Sequence, residues 1–318
     1  MTDFKFNESE GKDMKNHSAE SMQKVFYHDT DNYIPTDDFS RCISRHTADA
    51  VVTYKQLKGE ALNLCYYFPK DYNKNAKYPV FMMFHGGAWN SRCILEGQSE
   101  WSGDHLGFLA RYYADKGFLA VVSTYGLLKV SGQDEERQLF DLYTDCQDAM
   151  NYVADHADAY GADLTDVTLL GESAGGHLAA AMATDSFYDN RLPVHTLILL
   201  NPITHLDDKW GNGTPRSSVR PMLAGKSKAE INRLLSPLYN ITKKTPKTLL
   251  IHGSADKTVA LNHSVVFHDK MMQIGNQSEL HIINGAEHAF ILLEYYGHMP
   301  HTSIAVKQID DYLKRNPN

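Results

Sequence analysis

Val167-Thr168-Leu169-Leu170-Gly171-Glu172-Ser173-Ala174-Gly175-Gly176-His177-Leu178-Ala179-Ala180 is the stretch on which the fold turns. Val167–Leu170 reads as a short strand buried on both faces, and 174–183 as a helix. The five residues Gly171 to Gly175 between them fit G-x-S-x-G. That pattern puts a serine on a sharp strand-to-helix turn, with glycines keeping side chains off the elements that meet there. A helix N-terminus behind the serine supplies partial positive charge where an oxyanion would develop. The same five residues would also suit a serine that merely caps a helix, so the rest of the chain must decide.

Outward from this turn, apolar runs alternate with helical patterns. Upstream, 50–57 and 61–68 read as a hairpin around Lys58-Gly59-Glu60, and Tyr78-Pro79-Val80-Phe81-Met82-Met83-Phe84 as a buried strand. A helix over 104–116, a strand over 118–123 and a long helix over 138–159 follow. Downstream come strands at 196–200, 248–251 and 280–283, a helix at 261–274, and a closing amphipathic helix carrying Ile304, Val306, Ile309 and Leu313. Such alternation predicts an α/β fold, a mostly parallel central sheet with helices on both faces. Two parts stand outside it. Residues 1–45 form a polar extension in which Met22, Val25 and Phe26 fall at helical spacing behind Ser18, predicting a short helix. Residues 204–245 are a long, polar, Gly- and Pro-bearing connection. Together the two are expected to cap the catalytic domain, 46–318.

The other chemistry-bearing residues sit just after strands. His85-Gly86-Gly87-Ala88-Trp89 follows the strand ending at Phe84, and its glycines let main-chain amides approach one oxygen atom. Gly86, Gly87 and Ala174, the residue after the serine, are the candidate donors. His85 reads as a structural hydrogen-bonding residue, and Trp89 as either pocket lining or a buried aromatic. Asp256 follows the strand at 248–251, where open α/β sheets present carboxylates to their crevice. With 16 histidines in the chain, position decides. His263 and His268 fall on a helix and His281 within a strand. His288 alone lies past the last strand in a glycine-containing loop. Ser173 as nucleophile, His288 as base and Asp256 as its orienting acid follow. Glu287 is a poorer acid, since neighbouring side chains diverge.

These motifs, with Gly171–Ala180, Ser236-Pro237-Leu238-Tyr239-Asn240-Ile241, 249–259 and Gly285–Phe290, resemble the α/β-hydrolase superfamily. The similarity runs from about Leu57 to the C-terminus. It points to the esterase branch related to hormone-sensitive lipase and bacterial acetyl and carbohydrate esterases. The resemblance implies Ser173, Asp256 and His288 as a triad and Gly86, Gly87 and Ala174 as an oxyanion hole, in agreement with the reading above. Two departures stand out. Ala88 replaces the third glycine of the HGGG form, as in acetyl-esterase-like and kynurenine-formamidase-like branches. Ser123-Thr124-Tyr125-Gly126-Leu127-Leu128 stands where hormone-sensitive-lipase relatives carry Asn-Tyr-Arg-Leu-Ala-Pro.

Composition sets outer bounds. At 318 residues, 42% hydrophobic and 22% charged, the chain has material for a sizeable core. A net charge of −8 argues against nucleic acid as a partner. Four scattered cysteines give no zinc or C-x-x-C spacing. No H-E-x-x-H pattern calls for a metal, and no cofactor is implied. No run of eighteen apolar residues predicts a membrane span, and the polar N-terminus leads us to expect a cytoplasmic protein. The expected activity is hydrolysis of small esters with short acyl groups, acetyl foremost and acetylated carbohydrate among the candidate substrates. An amide-cleaving relative such as a formamidase is the alternative, and a ligand-binding member without catalysis a more distant one.

Overall fold

The computed structural model describes residues 24–30, 47–91, 104–128, 137–184, 190–206, 227–293 and 300–318. Among these, the strands are β1 (Val25–His28), β2 (Ala50–Leu57), β3 (Glu60–Tyr67), β4 (Tyr78–Phe84), β5 (Leu119–Ser123), β6 (Ala162–Glu172), β7 (Thr196–Leu200), β8 (Lys247–Gly253) and β9 (Ser278–Ile283). They form one sheet in the order β1-β9-β8-β7-β6-β4-β5-β3-β2. Every pairing is parallel except β2 with β3 and β3 with β5, so a hairpin closes one edge of an otherwise parallel sheet.

Period-two alternation divides the core between the two faces. In β4, Val80, Met82 and Phe84 enter one cluster and Phe81 and Met83 the other. In β7, Leu197 and Leu199 face one way, Ile198 and Leu200 the other. Both sets are fully buried, which is why these strands read as unbroken apolar runs. The first face is covered by α2 (Leu139–Asp155), α4 (Ala174–Ala183) and α6 (Asn262–Gln273), through Leu142, Met150, Leu178 and Phe267. The second is covered by α1 (Asp104–Asp115) and α8 (Pro300–Arg315), through Phe108, Leu109, Val306, Ile309 and Tyr312. The short helices are α3 (Ala157–Tyr160), α5 (Lys228–Leu234) and α7 (Phe290–Leu293).

From β4 the chain crosses to β5 on one side, then returns to β6 on the other. The strand order therefore reverses at β4, and the crevice beyond the carboxyl ends of β4 and β6 is where open α/β sheets place ligands. Both the His85–Trp89 loop and Ser173 leave from that point.

Two expectations need correction. Val25–His28 is not helical: it pairs in parallel with β9, Val25 against Leu280 and His28 against Ile283. The N-terminal extension therefore completes the sheet as well as preceding it. The 204–245 connection is not irregular throughout either. Ser227 caps α5 through a reciprocal pair with Glu230, and Pro237–Asn240 forms a 3-10 turn. Residues 207–226 and most of the N-terminal extension, to which the cap expectation also refers, lie outside the described residues. No helix among the described residues is long and apolar enough to cross a membrane.

Candidate active site

β6 runs straight into the turn that carries Ser173. The serine takes φ 53° and ψ −117°, a left-handed conformation that costs about 1–3 kcal/mol in a non-glycine residue. Its amide donates to the Leu200 carbonyl at 2.9 Å, which ties the turn to β7. A β-carbon on Gly175 would fall on the carbonyl oxygens of Phe84 and His85, so only glycine lets α4 pack this closely on β4. Ala88, Trp89, Asn201 and Ala289 also have positive φ, and each belongs to a loop leaving the carboxyl end of β4, β7 or β9. Among the described residues five of the seven non-glycine positive-φ positions thus lie at this end of the sheet, Lys24 and Asp71 being the others.

Three sequence-distant side chains meet there. Ser173 Oγ lies 2.9 Å from His288 Nε2, and His288 Nδ1 lies 2.7 Å from Asp256 Oδ2. A carboxylate only accepts, so Nδ1 donates to Asp256 and Nε2 is left to accept from the serine hydroxyl. The Asp256 side chain is sealed from solvent, whereas His288 remains 15% exposed, so the chain of bonds has a buried end and an open end. Oδ1 of Asp256 accepts the amides of Thr258 (2.9 Å) and Val259 (2.8 Å). Burial alone would raise this carboxyl's pKa. Hydrogen bonds from His252, His288 and the Val259 amide, with the charge of the His288 ring, hold it well below the usual carboxylate range. Asp256 is ionised wherever the protein is folded at ordinary pH.

The His85–Trp89 loop lies across the turn from Ser173. Tyr125 donates its hydroxyl to the His85 carbonyl at 2.7 Å and stacks on the His85 ring. His85 is buried, its Nδ1 2.7 Å from the Gly86 carbonyl oxygen, and burial lowers its pKa to about 4. It serves the loop's structure, as its position suggested. Trp89 is buried, edge-on to His177, and so belongs to the interior. Among the described residues, no protein group accepts a hydrogen bond from the amides of Gly87, Ala88 or Ala174. Gly86 differs: its amide acts on the carboxyl of Glu172, favouring the ionised form.

Glu172 is the residue that sequence reading passed over. It stands inside the G-x-S-x-G pattern, but nothing in the pattern marks it as buried. The structure seals it completely, with Oε1 accepting from Asn201 Nδ2 at 3.1 Å and Oε2 without a hydrogen bond. Burial pushes its carboxyl pKa up, opposed by the His288 ring, Asn201 and the Gly86 amide. Glu287, the rejected alternative acid, makes no contact with the His288 ring comparable to that of Asp256, and its residue is exposed. Among the described residues, no three His, Cys, Asp or Glu side chains are grouped to hold a metal ion.

Comparisons with known proteins agree with this architecture. The BD-FAE family model matches residues 64–271. The isoprenylcysteine alpha-carbonyl methylesterase of Arabidopsis thaliana is 22% identical over 240 residues, covering 70% of this chain and 53% of its own length. The acetylxylan esterase of Xylanibacter ruminicola is 27% identical over 154 residues, covering 46% of this chain and 30% of its own. The chain thus spans about half the length of the first of these relatives, and less of the second. A thermophilic esterase from Thermogutta terrifontis, solved with butyrate bound, superposes with a TM-score of 0.69 at 24% identity, covering 85% of this chain and 95% of that one.

Proposed function

Since the chain belongs to the BD-FAE family, of the α/β-hydrolase type and its esterase branch, we propose that it hydrolyses carboxylic esters through an acyl-enzyme on Ser173. The observation that carries this reading is the continuous hydrogen-bonded line from Ser173 Oγ through His288 to a buried, ionised Asp256. Ser173 Oγ attacks the ester carbonyl while its proton passes to His288 Nε2. The carbonyl oxygen gathers negative charge against the amides of Gly87 and Ala174 at the N-terminus of α4, with Gly86 holding the loop against Glu172. His288 then gives the proton to the departing alcohol oxygen as the C–O bond breaks, leaving the acyl group on Ser173. Water attacks next, losing a proton to His288. That proton returns to Ser173 as the carboxylic acid leaves.

The acyl group we propose is short, of about two to four carbons, with acetyl foremost. Each methylene buried is worth roughly 0.8 kcal/mol, so a long-chain enzyme needs an extended apolar groove. Residues 204–220, which follow β7 in the sequence, instead carry Asp207, Asp208, Lys209, Arg216 and Arg220. The acetylxylan esterase and the butyrate-bound esterase among the similar proteins support a small acyl group, and the former an acetylated carbohydrate as one substrate. Residues 1–45 and 204–245 together shape the entrance in this proposal. A series of p-nitrophenyl esters from acetate to palmitate, compared by kcat/KM, tests it. The maximum is expected at acetate to butyrate, and a maximum at eight carbons or longer would overturn the acyl-length reading.

A further inference from the structure

His252, the sixth residue of β8, takes no part in the proton transfers just described, yet it touches the acid that orients the base. Its ring is completely buried. Nε2 lies 3.2 Å from Asp256 Oδ2 and 3.1 Å from the Val259 carbonyl oxygen, while Nδ1 lies 2.7 Å from Ser264 Oγ on α6. The carboxylate and the carbonyl can only accept, so Nε2 carries the hydrogen, and Nδ1 accepts from the Ser264 hydroxyl. Oδ2 of Asp256 therefore faces two rings: it accepts from His288 Nδ1 at 2.7 Å and lies 3.2 Å from His252 Nε2, whose one hydrogen is shared with the Val259 carbonyl. With Thr258 and Val259 on Oδ1, four donors surround the carboxylate and leave it no freedom to rotate.

We propose that His252 is a positioning residue for the ester hydrolysis, fixing Asp256 and dividing the charge of Oδ2 between two ring donors. A carboxylate oxygen with a second donor attracts the first less strongly. Ser264 fixes the ring form that makes this possible, linking α6 to the site. The ionisable groups facing Asp256 are His252 and His288, and the charge of Asp256 in turn acts on the buried Glu172. The inference rests on the Ser173–His288–Asp256 reading above.

The test is the pH profile of kcat/KM for an aryl acetate with the full chain and its His252→Leu, His252→Gln and Ser264→Ala variants. Losing the donor leaves all of Oδ2 to His288, so in His252→Leu the acid limb moves to higher pH by about half to one unit, with kcat reduced roughly tenfold. His252→Gln, whose amide can reach Oδ2, returns the limb towards wild type. Ser264→Ala gives a smaller shift in the same direction. A residue that only packs would lower Tm without moving the limb. An unmoved acid limb in folded His252→Leu overturns the proposal. If that variant does not fold, an unmoved limb in Ser264→Ala does so. Ser173→Ala separates the two levels: activity surviving in it overturns the triad reading and this proposal together. An inactive Ser173→Ala with unshifted His252 and Ser264 profiles overturns only the role of His252.

Discussion

Gly86 and Glu172 are packed so closely that a β-carbon on Gly86 would fall on Oε2 of the carboxyl. The loop facing Ser173 is thus seated directly on a buried acid. Gly86→Ala must displace either the loop or Glu172, and a displaced loop carries the Gly87 amide away from the oxyanion, a loss that costs about a hundredfold or more in kcat. We expect a fall of that size with KM changed far less. Equal loss in both, or retained kcat, would show that the loop's seat on Glu172 is immaterial to the reaction.

Glu172 itself should trade stability for function. Its carboxyl pKa is raised by burial, so the unfolded chain loses this proton at lower pH than the folded one. Stability is then lost as pH rises from the unfolded carboxyl range through the folded value. Glu172→Gln keeps an acceptor for Asn201 and removes the ionisation. Its Tm should exceed wild type at pH 7 to 8 by more than at pH 4, while kcat/KM falls. A Tm difference independent of pH would contradict this account.

Acid should destabilise the protein well before the carboxylates titrate. Burial lowers the pKa of His85 and of His177 from 6.5 to about 4. The unfolded chain therefore binds these protons first, and stability falls as pH drops from 6.5 towards 4. The contribution is on the order of 3 kcal/mol for each ring at the acid end of that window. Thermal melts between pH 7 and 4.5 should show a steady drop in Tm, made shallower by His177→Gln. A flat profile would mean that these rings are not held neutral.

The N-terminal extension should divide functionally at β1. Removing residues 1–22 leaves the β1–β9 ladder intact, and we expect a folded protein with altered KM or ester preference. Removing residues 1–30 also strips β1, leaving β9 as a bare sheet edge, and should lower Tm. Unchanged kinetics across several acyl and alcohol groups in the shorter deletion would mean that the segment does not shape the entrance.

The legible and illegible parts of the sequence differ in how local their causes are. Ser173, Asp256 and His288 could be read because each follows its own strand in a short loop, and a parallel sheet brings such loops to one end. The strands could be read because burial on both faces leaves them almost wholly apolar. β1 could not: four residues pair with a strand some 250 positions away, and Phe26 and Tyr27 are exposed rather than apolar core. Tertiary pairing overrode a weak helical spacing. His252 was visible as the first residue of His252-Gly253-Ser254-Ala255-Asp256, but only the turn after β8 shows that its ring folds back onto Asp256. Asn201 bore no signal; its role follows from φ 37° and its bond to Glu172.

The central claim is that Ser173 carries the acyl group, and covalent labelling tests it most directly. Paraoxon, an organophosphate that traps activated serines, should inactivate the protein with one phosphoryl group per chain. Peptide mass spectrometry should place that group on Ser173, and Ser173→Ala should take up none while its ester hydrolysis falls by several orders of magnitude. A label on another residue, or a folded Ser173→Ala protein retaining more than about a tenth of wild-type kcat, would contradict the account.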